Sequence, residues 1–167
     1  MAHADYFLKL EGYKSGLVEG ESTDSKHKNE IEILSWKWSA RHPVIMNGPG
    51  AGSASGRVEH SPMQFTALVS KASPKLALAC ATLEVMKTAT LTCRKAGTDQ
   101  QEFLHVVLTD AVIFSYESHS GDDGVLPVDE FTLGYKTIEQ IYKAQKADGS
   151  LHAPVKTGWH LKEHAKL

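Results

Sequence analysis

The chain has 167 residues, and its 18 basic and 20 acidic side chains leave a formal net charge of −2. This length suits one domain, residues 1–167, because a chain of this size buries roughly 70% of its unfolded surface on folding. The near balance of charge gives no electrostatic reason to expect nucleic acid or an anionic membrane as a partner.

The N-terminal residues lack the pattern of a secretory signal. No charged region followed by an apolar segment and a cleavage site occurs in MAHADYFLKLEGYK, and nowhere do eighteen apolar residues run together. We therefore expect a protein that is made in the cytoplasm and inserts into no membrane. Cys80 and Cys93 are too few for a disulfide framework, so we expect two small buried hydrophobes, although a bridge between them is geometrically conceivable.

Short segments with a period of two dominate the chain. Apolar and other residues alternate in them, and glycine, aspartate or proline separates them. The segments begin near Tyr6, Phe65, Ala89, Leu104, Val112, Phe131 and Thr137. This pattern predicts a mainly all-β fold, a closed antiparallel β-barrel with one flanking α-helix and a long extended loop.

Residues 20–38 join a polar, turn-rich loop to a β-run that ends in two tryptophans. Trp36 and Trp38 share one face of this strand, while Ser35 and Lys37 share the other. We interpret the indoles as core aromatics and expect Lys37 to face water. The alternative, an exposed platform that stacks on carbohydrate, requires both indoles to be open to solvent.

From Arg41 to Gly56 the alternation stops, and the segment contains four glycines and two prolines. Loops this long without structure of their own usually bind a partner or are disordered, so we expect a partner-contacting element. Its predicted contact residues are Val44, Ile45, Met46, Asn47, Gly48, Gly50 and Gly52. A phosphate-binding role is disfavoured, since the third glycine of a dinucleotide fingerprint and a Gly-Lys-Ser/Thr sequence are both missing.

One helix interrupts the strands. Ser73 is placed to cap it and Pro74 to occupy its first turn. The predicted apolar stripe, which needs a surface to cover, comprises Leu76, Ala79, Cys80, Leu83 and Met86.

The strands after the helix are apolar on both faces. Phe103, Val107 and Ile113 lie opposite the residues that we expect in the core. A small barrel uses one face of each strand for its core, so these three predict a wall that another copy of the chain covers.

No motif for catalysis or for a cofactor emerges. His160 to His164 spells H-x-x-E-H, but a catalytic zinc needs three ligands on a rigid frame, and these residues lie beside the C-terminus. We therefore predict no enzyme activity, no metal and no cofactor, with a zinc hydrolase as a remote alternative.

Three motifs are distributed along the chain. The first comprises Gly20, Glu21, Ser22, Asp24, His27, Glu30, Ile31, Ser35, Trp36 and Trp38. The second comprises residues 94–97 with Gln100, Gln101 and Glu102, and the third residues 145–149 with residues 154–156, Gly158 and Trp159. In this order they resemble the haemolysin-coregulated (Hcp) proteins, the tube subunits of the bacterial type VI secretion machine, and the resemblance covers essentially the whole chain.

The resemblance implies a structural subunit whose hexameric rings stack into an exported conduit that carries or chaperones effectors. It implies as partners other copies of the chain, the spike protein, the contractile sheath and effector proteins, and it implies secretion without a signal peptide. In such a ring, Phe103, Val107 and Ile113 would form a subunit interface, Ser35 and Lys37 would face the lumen, and the long loop would join stacked rings. The alternative is a monomeric β-barrel module that binds carbohydrate or a small ligand.

Overall fold

The computed structural model describes residues 3–43, 56–97 and 99–167. Within these residues one α-helix, α1, spans Ser73–Thr82, and a single 3₁₀ turn spans Asp122–Gly124. The strands are β1 (Ala4–Gly12), β2 (Gly16–Leu17), β3 (Ile31–Lys37), β4 (Ala40–Arg41), β5 (Glu59–His60), β6 (Met63–Leu68), β7 (Met86–Lys95), β8 (Glu102–His119), β9 (Val128–Gly134), β10 (Thr137–Tyr142), β11 (Val155–His160) and β12 (Ala165–Lys166).

Six of these strands close into an antiparallel barrel in the order β1-β7-β8-β9-β6-β3, with β3 pairing back onto β1. The closure confirms the fold predicted from the alternation. Strand β8 makes it possible, because its first half pairs with β7 and its second half with β9. The first half of β8 also pairs with β10, from which β11 and β12 continue outside the barrel.

The barrel core consists of side chains that alternate inward along every strand. Leu8 and Leu10 come from β1, and Phe65 of β6 stacks on Phe131 of β9 with ring centroids 5.4 Å apart. All four are nearly or completely buried. Burial of each such side chain stabilises the fold by about 1.5–3 kcal/mol, so the core is the main source of stability.

Helix α1 packs its first two turns against the barrel. Leu76 and Ala79 are buried, as the predicted stripe required, but Leu83 is 60% exposed and ends the helix in a left-handed conformation with φ of 52°. Met86 is buried as a residue of β7 rather than of the helix. The stripe prediction was therefore wrong beyond the second turn. Among the residues that the structure describes, no helix is both long and apolar enough to cross a membrane.

A buried carboxylate holds the start of α1 in place. Asp129 of β9 accepts hydrogen bonds from the Ser73 hydroxyl and from the Tyr116 hydroxyl, the latter at 2.8 Å. Ser73 thus bonds to the barrel rather than capping the helix, and Ala72 occupies the cap position. Burial, together with Asp129, raises the pKa of Tyr116, so this hydroxyl remains a donor over the physiological range.

Strand β8 changes which side chains face the core, and this corrects one prediction. Val106 and Leu108 face inward, Asp110 adopts a left-handed conformation with φ of 48°, and Ala111 and Ile113 then continue the buried face. Ile113 is completely buried in the core, so its predicted place on the outer wall was wrong. The sequence prediction assumed that regular alternation continues through Asp110, and it therefore placed Ile113 on the wrong face.

The two ends of α1 offer a matched pair of substitutions. Leu76→Asp places an unpaired charge in the core and should destabilise the protein by more than about 3 kcal/mol. In the monomeric protein Leu83→Asp places the same charge in solvent, at a left-handed position that aspartate tolerates, and should change stability by less than about 0.5 kcal/mol. Urea denaturation at a protein concentration low enough to keep the chain monomeric measures both, and equal losses would contradict this placement of the helix.

Candidate functional surfaces

The three sequence motifs meet in space on the outside of the barrel. Residues 20–30 fold over the outer faces of β1, β7 and β8, where polar side chains from all of these elements interlock. We call this cluster the motif junction, and its members are Asp5, Phe7, Asp24, His27, Glu30, Arg94, Glu102 and His105.

Arg94 of β7 joins the first motif to the second. Its guanidinium is almost completely buried, with Nη2 3.1 Å from Oδ2 of Asp5 and Nη1 2.8 Å from Oδ2 of Asp24. The guanidinium carbon also lies 4.9 Å from the centroid of the Phe7 ring. The ion pair with Arg94 lowers the pKa of Asp24 against the opposite effect of burial, so Asp24 remains ionised.

His27 makes a second bridge beside the first. Its ring stacks on Phe7 at a centroid distance of 4.4 Å, while Nδ1 lies 2.9 Å from Glu30 and Nε2 3.0 Å from Glu102. Glu102 also contacts Nε2 of His105 at 2.9 Å. Partial burial would raise the pKa of Glu102, but the bonds to His105 and His27 outweigh it and hold this pKa below its ordinary value.

The third motif docks onto the second through two side chains of the hairpin that joins β7 to β8. Gln101 donates a hydrogen bond from Nε2 to the carbonyl of Gly149, and Lys95 donates one to Oε1 of Gln145. The second motif therefore contacts both the first and the third. Every carboxylate of the motif junction is paired with an arginine or a histidine side chain, which suits a structural tie rather than acid–base catalysis.

Ser35 and Lys37 lie on a polar outer face of the barrel. Both are exposed and pair across strands with Thr66 and Gln64. The face continues over β9 and the second half of β8, and we call it the polar wall; its residues are Ser35, Lys37, Gln64, Thr66, Ser115, Glu117, Glu130 and Thr132. Trp36 and Trp38 point to the other side and pack against the core, so they do not form the open platform that carbohydrate stacking requires.

Two separate apolar patches interrupt the polar surface. The wall patch surrounds a cleft of about 410 Å³ and comprises Leu34, Leu68, Val69 and Leu126. The helix-end patch surrounds a cleft of about 670 Å³ and comprises Tyr13, Leu78, Leu83 and Val85. Sequence reasoning missed both, because a β-bulge between Ile33 and Ser35 places Leu34 and Ser35 on the same outer face, and because Leu83 reaches the surface at the left-handed end of α1.

Of the other predicted contact residues, the structure describes two and leaves the long-loop residues out. Phe103 and Val107 are partly buried, and Phe103 packs against the core. The long-loop residues, Val44, Ile45, Met46, Asn47, Gly48, Gly50 and Gly52, lie outside the described residues. At the base of that loop β4 pairs with β5, and Arg41 contacts Glu59 at 2.6 Å.

Histidines and cysteines show no arrangement for metal or redox chemistry in the described part of the chain. His160 is buried, and its Nδ1 accepts a hydrogen bond from the Glu163 amide at 3.0 Å. Within residues 3–43, 56–97 and 99–167, no three histidine, cysteine or acidic side chains are grouped to hold a metal ion. Cys80 and Cys93 are both free, and burial raises the pKa of Cys93 to about 12.

Comparisons with known proteins agree with this architecture. The sequence model of a family described as "Type VI secretion system effector, Hcp" matches residues 7–142. The protein Hcp1 of Pseudomonas aeruginosa is 33% identical over 166 residues, which span 97% of this chain and 98% of that protein. The solved structure of Hcp1 from Salmonella typhimurium is 30% identical with a TM-score of 0.77, and covers all of both chains. A second structure, described as a type six secretion system protein, is 28% identical with a TM-score of 0.88 and covers 99% of this chain and 100% of that one.

A closed barrel with one helix, matched over nearly its full length by type VI secretion proteins, defines the class of protein. The chain belongs to the Hcp family of the type VI secretion system.

The lowered pKa of Glu102 predicts how acid affects the motif junction. A carboxyl group whose folded pKa is depressed contributes stability above its ordinary pKa of 4.5 and loses it as the pH falls through the lowered value. Glu102→Gln should therefore cost about 1 kcal/mol at neutral pH, and this difference from the wild type should close as the pH falls below 4.5 and through the lowered pKa of Glu102.

Urea denaturation over a series of pH values tests this expectation. Glu32→Gln is the matched control, because Glu32 is exposed on the neighbouring strand β3 and should follow the wild type at every pH. A difference between Glu102→Gln and wild type that does not change with pH would show that the ionic contacts of Glu102 contribute nothing.

Proposed function

We propose that this chain is a structural subunit of the type VI secretion tube, whose copies form hexameric rings that stack into an exported conduit for effectors. Membership of the Hcp family supports the proposal. The observation that carries it is the presence of two different apolar patches on one small barrel. The role is structural and involves no turnover of a substrate.

Two non-identical patches are what a ring requires. In a closed ring each subunit presents one surface to the neighbour on one side and a different surface to the neighbour on the other. The wall patch and the helix-end patch supply two such surfaces, each with an apolar centre and a polar rim. Phe103 and Val107, which are partly buried residues of β8, are further candidates for contact with a neighbouring subunit.

The polar wall suits the lumen of such a ring. A conduit must let cargo pass, and a surface of hydroxyl, amide and charged side chains provides few apolar anchors for tight binding. Ser35 and Lys37 lie within this wall, which supports their predicted lumenal position. Effector proteins would therefore contact polar side chains during transport.

In this proposal the long loop makes the contacts between stacked rings. Its predicted anchor, Val44 to Met46, lies in a segment whose base is closed by the β4–β5 pairing and the Arg41–Glu59 contact. The spike protein and the contractile sheath are the further partners that this role requires, together with export from the cytoplasm without a signal peptide.

Assembly should depend on the wall patch. Wild-type protein should form a multi-subunit species at micromolar concentration, visible as rings by electron microscopy. Leu34→Asp and Leu126→Asp introduce charge at side chains that are 51% and 65% exposed, so they should preserve the fold and release the 18.3 kDa monomer, as light scattering would show.

Ser25→Asp provides the matched control, because Ser25 is exposed but belongs to neither patch. It should assemble like the wild type. A wild-type protein that stays monomeric would refute the conduit, whereas rings that survive both leucine substitutions would remove only the wall patch from the interface.

A substitution at Lys37 tests its lumenal position separately from ring formation. Lys37→Glu reverses a charge on the polar wall without touching either apolar patch, so rings should form normally while retention of a bound effector changes. In assembled rings Lys37 should still react with a small amine-directed reagent that can enter the lumen. Complete protection of Lys37 in the ring would place it at an interface instead.

A further inference from the structure

His27 lies at the centre of the motif junction, where each of its ring nitrogens contacts a carboxylate. Nδ1 lies 2.9 Å from Oε2 of Glu30, and Nε2 lies 3.0 Å from Oε1 of Glu102. The His27 side chain is only 7% exposed, so water has little access to either nitrogen. Hydrogen bonding at both nitrogens therefore depends on these two carboxylates.

A neutral imidazole cannot make both of these hydrogen bonds. It has one N–H donor, and its other nitrogen carries a lone pair that only accepts. Against the effect of partial burial, the bonds to His105 and His27 hold the pKa of Glu102 below its ordinary value, so Glu102 is ionised at neutral pH and only accepts. A neutral ring that donates to Glu30 would turn its lone pair towards Glu102. Bonds to two ionised carboxylates require a proton on each nitrogen of His27.

The elements packed against His27 from the barrel side accommodate a charged ring. Phe7 of β1 stacks on the imidazole at a centroid distance of 4.4 Å with 7° between the planes, and the face of an aromatic ring is its negative part. Arg94 of β7 brings a second cation to within 4.9 Å of the Phe7 centroid. Its charge is balanced by Asp5 and Asp24, which both contact the guanidinium.

The loop and β8 supply the remaining charged and titratable groups. Asp24 accepts a hydrogen bond from the His27 amide at 3.2 Å, and His105 contacts the second oxygen of Glu102 at 2.9 Å. The motif junction thus contains four carboxylates and, besides His27, one arginine and one histidine. A charged His27 brings this cluster closer to neutrality.

The loop that His27 holds also borders the wall patch. The Ser22 amide donates to the Glu30 carbonyl at 3.2 Å, and the Asn29 amide donates to the Ser22 carbonyl at 2.9 Å. Glu21 and Ser22 in turn line the cleft of the wall patch. Movement of Glu30 away from the barrel would therefore alter one side of that patch.

We propose that the motif junction is a proton latch, in which His27 holds the loop of residues 20–30 against the barrel while both ring nitrogens are protonated and releases it when one proton is lost. The closed loop binds one proton more than the open loop, so its stability falls as the pH rises through the deprotonation of His27. The consequence for assembly rests on the proposed tube function: release of the loop alters the wall patch and weakens contact between subunits.

Nitrogen NMR of the imidazole rings tests the latch apart from assembly, on the full-length Leu126→Asp variant that is expected to be monomeric. The chain has nine histidines, and adding His27→Gln identifies the His27 signals by their loss. Amide exchange of Ser22 and Asn29, corrected for the intrinsic dependence of exchange on pH, reports whether the loop is closed. Protection should fall by about tenfold or more in step with loss of the second ring proton, because one hydrogen bond between charged groups is lost.

Glu102→Gln separates a latch from a contact that is merely structural. The new amide has an N–H that can donate to the bare nitrogen of a neutral His27, so both ring contacts survive deprotonation. In this variant loop protection should no longer change as His27 loses its proton. Glu32→Gln, at an exposed position of β3, is the matched control and should keep the dependence on pH.

Two results would overturn the latch. One is a His27 ring that shows a single N–H while the loop remains protected, which would place the second proton on Glu30 or make it unnecessary. The other is a Glu102→Gln variant whose loop responds to pH in the same way as that of Glu32→Gln.

Light scattering of the chain without Leu126→Asp tests the coupling to assembly. Its assemblies should weaken over the pH range in which the latch opens in the monomeric variant, and those of Glu102→Gln should not. Assemblies that persist unchanged through that range would overturn the coupling. A chain that stays monomeric at every pH would refute the tube function and the coupling with it, whereas the latch itself is decided by the measurements on the monomer.

Discussion

The rest of the fold depends on the way in which β8 closes the barrel. One strand of 18 residues has to pair with β7 along its first half and with β9 along its second. A regular strand that kept the same residues inward would not follow this curvature, and β8 departs from regularity twice. Asp110 adopts a left-handed conformation, and a bulge at Phe114 separates Ile113 from Ser115. Bulges increase local twist, which lets a single strand curl around the core.

This curvature divides the outside of the barrel into two kinds of surface. Over β1, β7 and the start of β8, the loop of residues 20–30 covers the wall and places charged groups against it. Burying those charges costs desolvation free energy, which ion pairs in good geometry only offset. The motif junction therefore fixes the position of the loop more than it adds to stability. Arg94 illustrates the point, because one guanidinium contacts Asp5 on the barrel and Asp24 in the loop.

Sequence reasoning succeeded where a local rule was sufficient. Alternation predicted the strands, Pro74 marked the start of the helix, and the three motifs indicated the family. It failed where the backbone leaves its regular path, at Asp110, at Leu83 and at the bulge between Ile33 and Ser35. A single sequence carries no signal for such irregularities, since many residues adopt them under tertiary constraint. It also cannot identify partners such as His27 and Glu102, which lie 75 residues apart and meet only after the barrel has closed.

In the proposed tube a subunit has to adhere to its neighbours and yet let cargo move, and the outer face of β3 would serve both needs with one strand. Ile31 and Ile33 face the core, so Leu34 is outward by regular alternation, and its side chain projects towards Leu68 and Leu126. The bulge between Ile33 and Ser35 keeps Ser35 outward as well, in the polar wall with Lys37. A strand that stayed regular through these residues would turn Trp36 outward and Lys37 inward. The irregularity thus keeps the tryptophans in the core and the lysine in solvent next to the exposed Leu34, so the surfaces proposed for adhesion and for passage are separated within four consecutive residues.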